Sequence, residues 1–198
     1  VLPYDVYKNV TMMGQGTSSA ASANCFFLAD GSLTGTCDIT GREAEIDFLA
    51  YCNTSPAMYF YSPTNTANVA KNFKCSGVSW APDATQMRAT RFRVLVPGSS
   101  ATDAIYAAYN ANSIPNLDDD FFAGISAPSA SSSKYDADES AAGASVFNLT
   151  SSFLIWARIP QQDGSFKNAL IAVKSVNVVT DSGSQGLSTI TFDIMKQQ

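Results

Sequence analysis

The stretch that decides the fold is Ala169-Leu-Ile-Ala-Val-Lys-Ser-Val-Asn-Val-Val179, the loop Thr180-Asp-Ser-Gly-Ser-Gln-Gly186, and Ser188-Thr-Ile-Thr-Phe-Asp-Ile-Met195. In the second run Ile190, Phe192 and Ile194 alternate with Thr189, Thr191 and Asp193. In the first, Ile171 and Val173 oppose Lys174 and Val176. Side chains of a strand point alternately to its two faces, so each run reads as a strand with a buried side. The short polar loop between them predicts an antiparallel pair. A chain whose last apolar run is a packed strand belongs to a β-rich class.

Working back from that pair, Ser152–Ile159 is apolar on both faces, which predicts a strand in the middle of a sheet and a buried Trp156. Strand patterns recur at Val6–Met13, Asn24–Ala29, Leu33–Asp38, Glu45–Cys52, Met58–Tyr61, Arg91–Val96 and Val146–Leu149. In Glu45–Cys52 strict alternation puts Ile46, Phe48, Ala50 and Cys52 on one face and Asp47, Leu49 and Tyr51 on the other. One helix stands out at Thr102–Asn110, with Thr102 as its cap, Asp103 at the favourable end of the dipole, and Ile105 and Tyr109 on the core side. Thr66–Phe73 reads as one or two helical turns, and Ala127–Ala144, rich in Ser, Ala and Asp, as surface loop. The expected fold is therefore all-β: an antiparallel β-sandwich with one or two short helices, residues 1–198 forming a single domain.

Composition narrows function by exclusion. The 198 residues carry a formal charge of −5, with 45% apolar and 15% charged residues. Arg88, Arg91 and Arg93 are the sole local cluster of positive charge, so no basic face exists to neutralise several phosphates and nucleic-acid binding is not expected. No apolar run of membrane-spanning length is present. There is no histidine, which removes Ser-His-Asp and Cys-His catalysis and imidazole metal sites. No phosphate-binding or dinucleotide-binding glycine pattern appears, so no cofactor is implied.

The four cysteines Cys25, Cys37, Cys52 and Cys75 are spaced by 12, 15 and 23 residues, which fits no zinc or redox motif. Disulfides in an oxidising compartment and small buried thiols both remain open, with Cys52, on the apolar side of a strand, reading as a free thiol. The sequons at Asn9, Asn53 and Asn148 carry little weight in a chain this rich in Ser, Thr and Asn.

Paired carboxylates are the remaining route to hydrolysis. Glu45 and Asp47 would share a face of a strand, but the simpler expectation is a solvated sheet face. Asp118-Asp119-Asp120 lacks the alternating ligands of a calcium loop and reads as the acidic start of a helical turn. Asp136, Asp138 and Glu139 read as loop solubility. The aromatics are the better lead. Tyr59 and Tyr61 share a strand face opposite Met58 and Phe60, and Tyr51 and Trp80 lie near strand ends and turns. Rings exposed on a rigid sheet could stack on sugar faces while neighbouring polar groups bond hydroxyls. Tyr59, Tyr61, Trp80 and Tyr51 are thus the candidate ligand-binding residues, with Trp80 expected to be exposed.

Several segments in order, Cys25-Phe-Phe-Leu28, Glu45-Ile-Asp-Phe-Leu-Ala-Tyr51 before Tyr61-Ser-Pro63, Thr90-Arg-Phe92, Phe153-Leu-Ile-Trp-Ala157, Lys167–Val176 and Ser188–Ile194, resemble surface lipoproteins of Bacteroidetes that accompany glycan-uptake systems. The resemblance implies an exported, lipid-anchored β-rich protein at the outer-membrane surface or in the periplasm, with its anchoring cysteine trimmed from this sequence. It carries over no functional residue. The expected role is a noncatalytic accessory glycan-binding protein with a polysaccharide or oligosaccharide partner. A structural or adhesive, fimbria-like subunit is the alternative, and a carboxylate-dependent glycosidase the remaining one.

Overall fold

The computed structural model describes residues 1–65, 70–125, 136–137, 145–147 and 154–198. The strands in chain order are β1 (Tyr4–Met13), β2 (Phe26–Leu28), β3 (Leu33–Thr34), β4 (Ile46–Cys52), β5 (Met58–Tyr61), β6 (Lys74–Cys75), β7 (Val78–Ser79), β8 (Arg91–Leu95), β9 (Asp136–Ala137), β10 (Ser145–Phe147), β11 (Leu154–Pro160), β12 (Phe166–Asn177) and β13 (Thr189–Gln197). A single α-helix among the described residues, α1 (Ser100–Asn110), follows β8. The expected all-β antiparallel sandwich is what forms. A five-stranded sheet, β1-β13-β12-β11-β8, faces a six-stranded one, β3-β2-β4-β5-β10-β9, and β6-β7 make a separate hairpin. The decisive closing pair, β12 and β13, is antiparallel from Ala169↔Lys196 to Asn177↔Thr189, and β11 is an interior strand between β12 and β8.

Alternation explains the packing. Ile190, Phe192 and Ile194 point between the sheets with Ile155, Ala157, Ile159, Ile171 and Val173. Phe27, Phe48 and Phe60 come from the other sheet, and the Phe192 ring lies 5.3 Å from Phe60 and 5.9 Å from Phe48. This interlock of rings across the two sheets is the central hydrophobic layer, the dominant favourable contribution to folding.

Both outer faces are also covered. Over the five-stranded sheet, α1 and residues 111–125 bury Ile105, Ile114, Leu117 and Phe122 against Leu95, Leu154, Trp156 and Leu170. The Phe122 ring stacks on Trp156 at 4.7 Å and 3°, and the Trp156 indole donates to Asn168 Oδ1 at 3.0 Å. Helix α1 starts two residues before the expected boundary. Ser99 is the cap, its Oγ accepting from Thr102 N at 3.3 Å, while Thr102 lies buried inside the helix. Over the six-stranded sheet, irregular loops bury Cys25, Phe26, Leu28, Ile39, Ile46, Leu49, Phe73 and Met87.

A disulfide, Cys37–Cys75, ties the loop after β3 to the β6-β7 hairpin, whereas Cys25 and Cys52 are buried free thiols. Both open readings of the cysteines are thus realised in one chain, and Cys52 is free as its strand position implied. Burial pushes the Cys25 thiol up to about 12.

One departure from strict alternation matters most. Phe27 pairs with Phe48 but Leu28 pairs with Ile46, which leaves Asp47 as an extra residue in a β-bulge. Ile46 therefore turns outward to join Leu49, and the expected face assignment of Ile46 and Asp47 is exchanged. Asp47 is 0% exposed and lies between the sheets. Its Oδ2 accepts from Lys196 Nζ at 2.5 Å, and its Oδ1 from Arg88 at 3.2 Å. Lys196 Nζ also donates to Ala29 O at 2.6 Å. Burial pushes the Asp47 carboxyl up from its ordinary value, and the Lys196 and Arg88 charges pull it back.

Candidate functional site

The outer face of the six-stranded sheet brings the predicted tyrosines together. In β5, Met58 and Phe60 enter the central core while Tyr59 and Tyr61 point outward, as their spacing requires. Backbone pairing sets Tyr51 of β4 directly opposite Tyr59, with Tyr61 opposite Leu49. The Tyr59 and Tyr61 rings stack at 5.2 Å and 17°, and Tyr51 stands edge-on to both, at 6.2 and 5.6 Å. All three are half-buried. Asn53 Nδ2 donates to the Tyr59 hydroxyl at 2.9 Å, and Asn72 Nδ2 to the Tyr51 hydroxyl at 3.3 Å. Burial raises the pKa of all three phenols, so each keeps its proton and can donate as well as accept.

Trp80 belongs to the same aromatic layer but not to its accessible part. It tilts onto Phe26 at 4.8 Å and meets Phe73 edge-on at 5.9 Å, and its indole N–H is buried with no hydrogen-bond partner among the described residues. The expected free ring is a half-buried cover over Phe26 instead, because the β6-β7 hairpin folds it back onto the sheet, Trp80 N donating to Phe73 O at 2.7 Å.

Tyr51 also lines a cleft of about 260 Å³ at the end of β4. Its walls come from four loops and include Thr17, Ser18, Thr54, Asn72, Lys74 and Gln185. The loops are braced from below. The Gln15 side chain bonds both backbone groups of Cys52, at 2.8 and 2.9 Å, extending the sheet by one amide. Gly16 N donates to Gly186 O at 2.9 Å, and a Cβ on Gly186 would sit 1.9 Å from Gly16 O, so only glycine allows this approach. The cleft is open to solvent and lined by hydroxyls, amides and one ammonium, next to an aromatic edge. That combination suits a polyhydroxylated ligand better than an apolar one.

The carboxylates considered for hydrolysis do not form a pair. Glu45 lies in the 3-10 turn Glu43–Glu45 and bonds Arg42 at 2.6 Å on the surface, while Asp47 is interior. Asp118 Oδ1 accepts from Phe121 N at 2.9 Å, which caps a turn rather than opening a helix. Among the described residues no three His, Cys, Asp or Glu side chains gather to hold a metal ion, and no helix is long and apolar enough to cross a membrane. The readings made of residues 66–69, 127–135, 138–144 and 148–153, with the side chains of Asp136 and Val146, lie outside the described residues.

Sequence reasoning missed the polar cleft and the Asp47–Lys196–Arg88 cluster. Both depend on contacts between segments far apart in the chain, and neither leaves a local motif. Comparison with family models, curated proteins and solved structures finds no match for this chain.

Proposed function

We propose that this is a noncatalytic surface protein that binds a glycan on the loop-covered side of its six-stranded sheet. The observation that carries the reading is Tyr51, whose ring adjoins the Tyr59–Tyr61 stack and also walls the hydroxyl-lined cleft. A sugar offers an apolar C–H face and a rim of hydroxyls, and this surface offers rings beside donors and acceptors. The Cys37–Cys75 bond supports an exported protein, since such bonds persist in oxidising compartments. Anchorage at a bacterial outer membrane rests on the lipoprotein resemblance alone.

The test is a glycan array read with wild type and the variants Tyr51→Ala, Tyr59→Ala, Tyr61→Ala and Trp80→Ala. Wild type should retain a defined set of oligosaccharides. Tyr51→Ala and Tyr61→Ala should lose them by about ten-fold or more, roughly one aromatic contact. Trp80→Ala should lower Tm before it changes affinity. Equal retention by all four variants would overturn the site.

An adhesive subunit is the second reading, favoured by β1. Among the described residues this ten-residue strand pairs on one side, with β13, and most of its side chains are exposed or half-buried. An open edge can accept a strand from a neighbour. That reading requires concentration-dependent assembly, measurable by sedimentation, and a strictly monomeric protein would remove it.

A further inference from the structure

The opposite face of the sandwich carries a different kind of surface. Phe92 and Val94 of β8 enter the central core, so Arg91 and Arg93 point outward. Ala157 and Ile159 of β11 do the same, so Arg158 points outward beside them. Arg91 and Arg158 are direct partners in the antiparallel pairing of β8 and β11. Directly opposite residues of such a pair have Cβ atoms about 5 Å apart, and like charges there repel.

In a chain of net charge −5 this arrangement stands out, because among the described residues a single carboxylate pairs with it. Arg158 has one ion pair among the described residues, to Asp119 at 3.7 Å, and that carboxylate is 74% exposed and well screened. Arg158 instead lies over the Phe166 ring, 4.6 Å from its centroid, which fixes the guanidinium plane. The Nε atoms of Arg91 and Arg158 are buried with no hydrogen-bond partner among the described residues. Arg93 makes interactions of its own. Buried donors are ordinarily satisfied, so the Arg91 and Arg158 guanidinium groups each have one donor short of an acceptor.

We propose that Arg91 and Arg158 form a binding site for an anionic group, a carboxylate or sulfate. The planar guanidinium fork matches such groups in a bidentate manner, and an anion between the two would cancel their repulsion. Asn168 of β12, the direct cross-strand partner of Arg158, has its amide committed to Leu117 O and Asp119 and its Oδ1 to Trp156, so it fixes the wall without competing for the ligand. The site is separate from the tyrosine face and does not depend on it.

Calorimetric titration tests it with three probes: sodium sulfate, an oligogalacturonate carrying carboxylates, and a chondroitin sulfate oligosaccharide. At least one should bind saturably to wild type, more weakly as NaCl rises, and at least ten-fold more weakly to Arg91→Gln and Arg158→Gln. Binding of free sulfate without either oligosaccharide would assign the site to a small inorganic anion, and binding of an oligosaccharide to an acidic glycan. Sulfate offers no sugar face to a tyrosine ring, so loss of its isotherm in Arg91→Gln and Arg158→Gln separates this site from the tyrosine reading. Without ligand, Arg91→Gln should raise Tm, because it removes repulsion, whereas an arginine serving the fold alone would lower it. No saturable binding of any probe at millimolar concentration, or unchanged affinity in the double variant Arg91→Gln/Arg158→Gln, would overturn the proposal.

Discussion

The two outer faces of this sandwich are covered in opposite ways. Over the five-stranded sheet lies α1, whose backbone satisfies its own hydrogen bonds and whose apolar side packs on Leu95, Leu154, Trp156 and Leu170. Over the six-stranded sheet lie 3-10 turns, a two-residue hairpin and a disulfide, with Phe26, Phe73 and Trp80 beneath them. Irregular loops leave polar backbone and side-chain groups facing outward, so the cleft and the half-buried tyrosines occur on that side. Where ligand recognition is concerned, the manner of covering matters more than the composition of the sheet below.

The strongest way to break this contrast is to remove the ring under the helix. Trp156→Ala should cost about 3–5 kcal/mol by leaving Phe122 without its stacking partner, visible as a lower midpoint in urea, while glycan affinity below the transition stays at the wild-type value. A loss of glycan binding without a loss of stability would mean the two faces are coupled. Reducing the Cys37–Cys75 bond releases a constraint across 38 residues and should lower stability by up to about 4 kcal/mol, with the new hydrogen exchange confined to the loops over the six-stranded sheet. Smaller again is Ser99→Ala, which removes the cap of α1 and should cost about 1 kcal/mol in thermal unfolding, with no effect on the tyrosine side.

The effect that leaves neutral pH untouched is a dependence on alkaline pH. Cys25 and the three tyrosines all have pKa values raised in the folded state by burial. Their protonated forms are favoured by folding, so their contribution is complete below pH 9 and is lost as pH rises toward 12, where Cys25 ionises even when folded. Stability should therefore fall through that window, and Cys25→Ala should flatten its first part. A rise in stability above pH 9 would contradict the burial of these groups.

Much of this architecture was legible from alternation alone. β11, β12 and β13 occur where their patterns put them, and the outward Tyr59 and Tyr61 follow from the inward Met58 and Phe60. Trp156 is buried as its strand implied. What stayed hidden was non-local. A bulge at Asp47 shifts the side chains of one strand, and nothing in Ile46-Asp47-Phe48 distinguishes it from regular alternation. The pairing of Cys37 with Cys75 needs the β6-β7 hairpin, whose strands of two residues are too short to show a period. Trp80 beside Pro82 looks like a surface ring until that hairpin returns it to Phe26. The early start of α1 was readable, since Ser99 follows the breaker Pro97-Gly98, but Thr102 is as good a cap by type.

The ammonium of Lys196 has one further consequence. It sits on the same side of β13 as Ile190, Phe192 and Ile194, and among the phenylalanines it would have no counter-ion. Sliding β13 by one pair of residues along its neighbours would keep every apolar side chain facing inward yet strand this charge among rings. The Asp47 carboxylate therefore acts as a notch into which the final strand clicks, selecting one alignment from several that greasy contacts by themselves would accept.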